Sequence, residues 1–415
     1  VATRRITYRL YPSVQAERKL HLARRMHCDL YNAAIANRRT QYKRFGHGVD
    51  YFEQQNSLPG FKEVWPEYKG LGSHTLQATF KRVDFAYQRF FKGLAKYPRF
   101  KAKRRYRGWT YPDKAGWKVH SNMGVNGHLE LRDLKLSIPM RGKARTWGNP
   151  TTCTIIWSNN QWYASITVNC VPERHAGQGA IGLDFGCKVA IATSDGEFIE
   201  APKFQAKAAE KIKELSKQLR RKRRPEKRKT KASRRWKKTQ SQIRKVNRQV
   251  ANQRHDWSHK VAAQIVSDNS LVATEKLNLK GMTRKGKGKR KRQKAGLNRS
   301  LLDVAIGMTK DAIKYKVDEA VGVYLEAPTQ KLKPTQRCAK CWEITPKTLS
   351  DRVHNCQHCR HCEDRDVNAA QVILTWARGQ ELASPDAESP SSTSWVSMKQ
   401  LGALKCQKRL TQRSG

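Results

Sequence analysis

Acidic residues are scarce in this chain: 34 Asp and Glu stand against 84 Lys and Arg, a formal net charge of +50 over 415 residues. That is far beyond what solubility requires. Self-repulsion on this scale needs a polyanion to offset it, nucleic acid first and an anionic membrane a distant second. Long apolar runs are also missing. No stretch stays apolar for the ~18 residues of a membrane span, and "VATRRITYRLYPS" has no secretory h-region. No internal repeat is present, which sets solenoid architectures aside. The expectation is a soluble intracellular protein of two or three domains with cores of their own.

Disulfide-style cysteine spacing is absent too. Of ten cysteines, Cys338, Cys341, Cys356, Cys359 and Cys362 fall within 25 residues, while Cys28, Cys153, Cys170, Cys187 and Cys406 are scattered. In a reducing compartment the cluster reads as a metal site and the scattered thiols as small core residues. Cys338-x2-Cys341 and Cys356-x2-Cys359, separated by 14 residues, have the spacing of a tetrahedral structural Zn²⁺ site. Such a site is closed, with no position left for a reacting water, so it carries no catalytic role. Cys362, His354, His358 and His361 are further candidate ligands, Cys362 the first substitute.

What is present is a change of period along the chain. "ITYRLYP" reads as a strand. "ERKLHLARRMHCDLYNAAIANRRTQYKRF" and "HTLQATFKRVDFAYQRFFKGL" read as amphipathic helices with one apolar and one basic stripe. Between Trp117 and Val171 the period falls to two, with a turn at Ser158-Asn159-Asn160, predicting a small β-barrel completed by the first strand. "AIGLDFGCKVAIATSDGEFIE" predicts three antiparallel strands. Residues 206–266 read as two helices interrupted near Pro225. Within them, residues 211–250 carry 19 Lys and Arg against two Glu, a pattern that favours phosphate contact over a solvated face. "SLVATEKLNL" and "VGVYLEA" read as strands, Thr283–Lys294 as a basic loop, Leu301 to Tyr315 as one helix and "VNAAQVILTWARG" as another. The tail from about Ala383 reads as disordered.

Three acids stand out. Asp184 in "IGLDFG" is either a turn residue at a strand end or a metal ligand. Glu275 ends the apolar run "LVAT". Asp366 opens a helix, where it could serve only as a cap. Together they make an order, Asp on the first of three strands, Glu ending a later strand and Asp starting a helix, that belongs to the RNase H-like fold. There, carboxylates hold two divalent ions that activate a water and stabilise the leaving oxygen of a phosphodiester. Mg²⁺ suits carboxylate and water oxygens.

"GLDFG", "ATEKLNLKGM" and "DRDVNAAQ" resemble the three RuvC motifs of the TnpB family, transposon-encoded RNA-guided DNA endonucleases of the OrfB type with a zinc ribbon, relatives of compact type V CRISPR effectors. "ITYRLYPS", "CDLYNAAIANRRTQY", "AYQRFF", "YPRFKAKR" and "HDWSHK" resemble that family's segments in order, so the resemblance spans residues 3–378. It implies an α+β multidomain fold: a RuvC nuclease domain with an inserted zinc ribbon, an N-terminal β-barrel (wedge) module and a helical recognition insert. The implied boundaries are 1–20 for the first wedge strand, 21–110 for the helical region and 111–175 for the barrel. The nuclease domain then takes 176–333 and 363–382, the ribbon 334–362 and the tail 383–415.

The same resemblance implies Asp184, Glu275 and Asp366 as catalytic Mg²⁺ ligands, with Asp364 a neighbour that orients Arg365 or a ligand water. Trp342 and Arg360 stand where the family's knuckles have Gly, which predicts less regular turns. The implied partners are a guide RNA, from a transposon end or CRISPR-like, and double-stranded DNA cut beside a short motif read by the protein, with the protein acting as a monomer. Base pairing then carries the sequence reading. By position in the family pattern, Tyr51 and Gln77 read the DNA motif, Gln because it pairs bidentately with adenine; a packing Tyr and a helix-surface Gln are the alternatives. A bacterial or archaeal cytoplasmic, nucleoid-associated location follows from the resemblance. The competing functions are a nuclease-inactive RNA-guided binder that regulates transposition, a transposase, and a zinc-ribbon nucleic-acid-binding protein.

Overall fold

The computed structural model describes residues 2–171, 173–226, 231–286, 288, 291–348 and 351–381. The expected disordered tail, Cys406 and part of the basic loop lie outside the described residues. The chain divides into two compact units, Val1–Glu173 and Arg174–Gly415. Among the described residues no helix is long and apolar enough to cross a membrane.

Unit 1 begins with β1 (Ala2–Leu10), followed by α1 (Val14–Phe45), α2 (Tyr51–Asn56), α3 (Leu58–Val64), a 3-10 turn (Pro66–Gly70) and α4 (Ser73–Phe91). Six strands complete it: β2 (Gly108–Tyr111), β3 (Trp117–Asn122), β4 (Val125–Leu131), β5 (Leu136–Lys143), β6 (Asn149–Ser158) and β7 (Gln161–Cys170). The hydroxyl of Ser13 caps α1, accepting from the Ala16 N–H at 3.3 Å, and Gly46 ends the helix in the left-handed conformation. The helices bury Leu20, Cys28, Tyr31, Ile35, Leu76, Phe80 and Val83 into one core with strand residues such as Leu129, Ile155 and Ile166.

The strands form one sheet in the order β2-β6-β7-β1-β5-β4-β3. As expected, the first strand joins this sheet, pairing antiparallel with β7 and β5. The closed barrel is not formed, because no ladder joins the outer strands β2 and β3. These two are consecutive in the chain, linked by residues 112–116, a span of at most about 20 Å. The sheet must therefore curl until its edges approach. The Tyr111 hydroxyl of β2 donates to Asp133 Oδ1 at 2.8 Å, in the turn between β4 and β5. The result is a half-barrel.

Unit 2 opens with the predicted meander, β8 (Gly179–Phe185), β9 (Val189–Thr193) and β10 (Phe198–Glu200). Two long helices follow, α5 (Phe204–Arg220) and α6 (Arg234–Asp268), then β11 (Asn269–Glu275) and the short α7 (Leu279–Met282). One helix was expected next, but Ala305 adopts φ +59° and splits it into α8 (Lys291–Val304) and α9 (Ile306–Glu319). The end of the predicted basic loop thus belongs to α8. The chain continues through β12 (Val323–Ala327), α10 (Thr329–Leu332), β13 (Val353–Asn355), β14 (Cys362–Asp364) and α11 (Arg365–Glu381). The main sheet runs β10-β9-β8-β11-β12. Its first three strands are antiparallel, and β11 lies parallel to both β8 and β12. The cysteine-rich segment interrupts this unit between β12 and α11.

Candidate functional site

The parallel ladder sets Leu183 of β8 opposite Thr274 of β11. The next residue on each strand is an acid, Asp184 and Glu275, so strand pairing alone brings two carboxylates side by side. The third arrives with α11, which lies directly on β8. A Cβ on Gly182 would sit 2.0 Å from the Ala370 carbonyl oxygen, so only glycine permits this approach. One helical turn before Ala370 is Asp366.

The three carboxylates interact. The Asp184 carboxyl is held well above the usual carboxylate range by burial first, then by the Glu275 and Asp366 charges, with the Arg365 guanidinium acting against them. Glu275 is 7% exposed, and burial raises its carboxyl while the Lys310 ammonium pulls it down. Negative charge concentrated in a partly dry place is the condition under which bound cations stabilise a site most.

Asp366 does not cap its helix. Asp364 does, its Oδ1 accepting from the backbone N–H of Asp366 at 2.8 Å and of Val367 at 3.3 Å. The cap reading of Asp366 falls away. So does the idea that Asp364 orients Arg365, because Arg365 binds Asp366 instead: Nε and Nη2 donate to Oδ1 at 3.0 and 2.9 Å. Its Nη1 also donates to the Asp351 carbonyl at 2.9 Å, fixing the guanidinium from the ribbon side.

Sequence reading missed Lys310. This buried ammonium of α9 donates to the backbone carbonyl of Glu275 and pairs with Glu326 Oε1 at 3.1 Å. Beside it, the Tyr324 hydroxyl reaches Thr274 Oγ1 at 2.9 Å and Glu326 at 3.3 Å. The end of β11 is thereby tied to α9 and β12. The only signal available was a lysine at a helical spacing that shares the core stripe with Ile306 and Ile313.

The four predicted zinc ligands converge. The sulfurs of Cys338, Cys341, Cys356 and Cys359 all lie within 4.8 Å of one another. Cys338 to Cys359 measures 3.6 Å and Cys341 to Cys356 measures 3.5 Å. A tetrahedron with Zn–S bonds of about 2.3 Å has edges of about 3.8 Å, so the set fits a structural Zn²⁺. Cys362, His354, His358 and His361 are not among these ligands.

Both knuckles have the same backbone: Trp342 N–H donates to the Cys338 carbonyl at 3.1 Å, and Arg360 N–H to that of Cys356 at 3.0 Å. Trp342 (φ +66°) and Arg360 (φ +57°) adopt the left-handed conformation that glycine favours. The turns are regular in spite of the substitutions. Asn368 of α11 then joins the first knuckle to the acid-bearing helix. Its side chain accepts from the Ala339 N–H at 3.0 Å and donates to the Arg337 carbonyl at 2.7 Å.

Tyr51 and Gln77 lie in unit 1, on α2 and α4. Tyr51 packs against the core and edge-on to Phe52, the arrangement of its packing alternative; Gln77 is half-buried. The basic segment fits a surface role: α5 has no buried residue, and α6 buries only Thr239 and Val250 before residue 251.

Residues 163–286 match the OrfB_IS605 family, described as probable transposase, and residues 307–373 match the Cas12f1-like TNB domain family. The chain is 27% identical over 356 residues to the putative RNA-guided DNA endonuclease InsQ of Escherichia coli (strain K12), covering 83% of this chain and 85% of that one. It is 26% identical over 383 residues to a putative RNA-guided DNA endonuclease of Streptomyces pristinaespiralis, covering 89% and 88%. A TnpB-like protein, L79 of Acanthamoeba polyphaga mimivirus, is 31% identical over 34% of this chain and 26% of its own. In fold, the chain is similar to the protein of a Cas12f1-sgRNA-target DNA complex solved by cryo-EM. The TM-score is 0.51 at 12% identity, over 90% of this chain and 98% of that one.

Proposed function

We propose that this chain, which belongs to the TnpB family, is an RNA-guided DNA endonuclease of a transposon setting. Unit 2 reads as an RNase H-like (RuvC) nuclease domain interrupted by a zinc ribbon, and unit 1 as a wedge half-barrel with a helical recognition insert. The observation that carries the reading is the meeting of Asp184, Glu275 and Asp366. They come from successive segments 91 residues apart, at the ends of two paired parallel strands and the start of the helix packed on them.

In this reading the three carboxylates hold Mg²⁺, whose bound ions supply water activation and stabilisation of the leaving oxygen in phosphodiester hydrolysis. The chain's other residues position the acids. Arg365 orients Asp366, Asp364 caps the helix that carries it, and Lys310 fixes the main chain at Glu275. The four cysteines hold Zn²⁺ and set the entry to α11 through Asn368. The cations of 211–250 meet phosphates of guide RNA, heteroduplex and displaced strand without reading sequence. Retention of all three acids speaks against a nuclease-inactive binder.

One experiment tests the whole reading: purify the protein from cells, sequence the RNA that accompanies it, and supply a double-stranded target matched to that RNA with Mg²⁺. Cutting of the matched target beside a fixed short motif is the expected result. No accompanying RNA, or cutting indifferent to the match, refutes it.

A further inference from the structure

Outside the acid and cysteine sites, unit 1 holds a cavity of about 220 Å³ lined in part by Arg9, Tyr11, Glu17, Trp157 and Trp162. Strand register builds its base. Leu10 of β1 pairs with Trp162 of β7, and Trp162 with Trp157 of β6, so three large side chains form a row on one face of the sheet. The two indoles meet at 4.9 Å, and the His21 ring packs edge-on to Trp157 at 4.6 Å. Trp162 is buried at 1% exposure, whereas Trp157 is only half-buried and Tyr11 is 39% exposed. Two guanidiniums stand over the Tyr11 ring, Arg9 at 4.7 Å and Arg141 at 5.1 Å.

We propose that this cavity receives one unpaired nucleobase of the bound nucleic acid. The inference rests on the RNA-guided reading above and adds to it a site that accounts for this aromatic row. The half-buried indole of Trp157 offers a stacking surface, and Arg9 and Arg141, stacked on the Tyr11 ring, stand in the same region for the flanking phosphates; splayed-out bases are held by this combination. The volume is below the roughly 300 Å³ at which ordinary ligand pockets begin, a size that suits one planar base. Glu17, 3.6 Å from the His21 ring, brings a carboxylate that accepts N–H donors. Guanine, with adjacent N1–H and N2–H groups, satisfies it best.

The test is ultraviolet crosslinking with mass spectrometry on the intact ribonucleoprotein, with and without target DNA. A guanosine adduct on Tyr11 or Trp157 without DNA assigns the site to the guide; a deoxyguanosine adduct only with target assigns it to a DNA strand. Trp157→Ala should weaken binding of that strand roughly tenfold, the loss of one stacked base, without altering the salt dependence. Trp157→Phe should retain most of the affinity. An adduct of another base overturns the guanine assignment. Absence of any adduct at these rings, in a protein that carries RNA and cuts a matched target, overturns the site while leaving the nuclease reading intact. A protein without RNA fails at the earlier step.

Discussion

The cysteine cluster and the acid cluster of unit 2 are assembled in opposite ways. The cysteines are local: two knuckles with the same backbone bring four sulfurs within 4.8 Å of one another. The acids are remote in sequence, and among the described residues they are not gathered that tightly. Sulfurs preset at a tetrahedral edge suit an ion that is bound once and kept. The carboxylates are set by strand register and helix packing, with the Arg365 and Lys310 charges acting on them. A structural site is finished when folding ends; on the proposed reading the other is completed by the cations it binds.

Predictions follow from separating the two. The largest effect should come from the acids. Asp184→Ala, Glu275→Ala or Asp366→Ala should each reduce cleavage of a matched target on the order of 10⁴-fold, as loss of a catalytic group does. Guided DNA binding should persist, seen as protection of the target from an added nuclease. Asp364→Ala should cost only the cap, about 1 kcal/mol in a thermal melt, with cutting retained. Efficient cutting by Asp366→Ala alongside an inactive Asp364→Ala would reverse that assignment.

Next in size is the cysteine site. Cys338→Ser with Cys341→Ser should reduce zinc per chain from one to none by elemental analysis. The ribbon should then become sensitive to protease, because zinc contributes folding free energy directly. A wild-type protein without zinc or a similar metal ends this half of the comparison.

Gly182→Ala should strike the acid site while leaving zinc in place. Its Cβ would press on the Ala370 carbonyl, which can yield only if α11 shifts. A loss of roughly 3 kcal/mol is expected, measured by denaturant melts, together with slower cutting at full zinc content. The smallest effect should be a gain. Arg360→Gly removes a left-handed non-glycine residue from an exposed knuckle, and it should stabilise zinc binding by about 1 kcal/mol in chelator competition.

The sequence displayed both centres because each leaves a local signature: C-x2-C spacing for one, an acid at the end of an apolar strand or the start of a helix for the other. Strand period and turn residues similarly disclosed the β8–β10 meander and the place of β1 in the unit 1 sheet. What escaped depended on three dimensions. Lys310 lies 35 residues from the carbonyl it holds, and nothing around it distinguishes a buried ammonium from a solvated one. The tie between β2 and the β4–β5 turn is made by Tyr111 and Asp133, a side-chain contact that no period encodes. Ala305 is an ordinary helix former in the left-handed conformation, so the break before α9 carries no glycine or proline to announce it. Asp364 was distinguishable in principle, since a carboxylate directly before a helix is the usual N-cap residue.

Asn368 ties these observations together in one respect. Its side chain is fully buried, and it fastens the backbone on either side of Cys338 to the first turn of the helix that begins at Arg365. Ala339 and Trp342 of the same knuckle pack against the core cluster to which Val372 and Ile373, farther along that helix, contribute. On the proposed reading, the two centres are therefore not independent: the fold of the ribbon reaches the helix that carries the third acid through this buried amide. Loss of zinc would then be felt at the acids as well, and scarcity of a trace element would lower the rate at which DNA is broken.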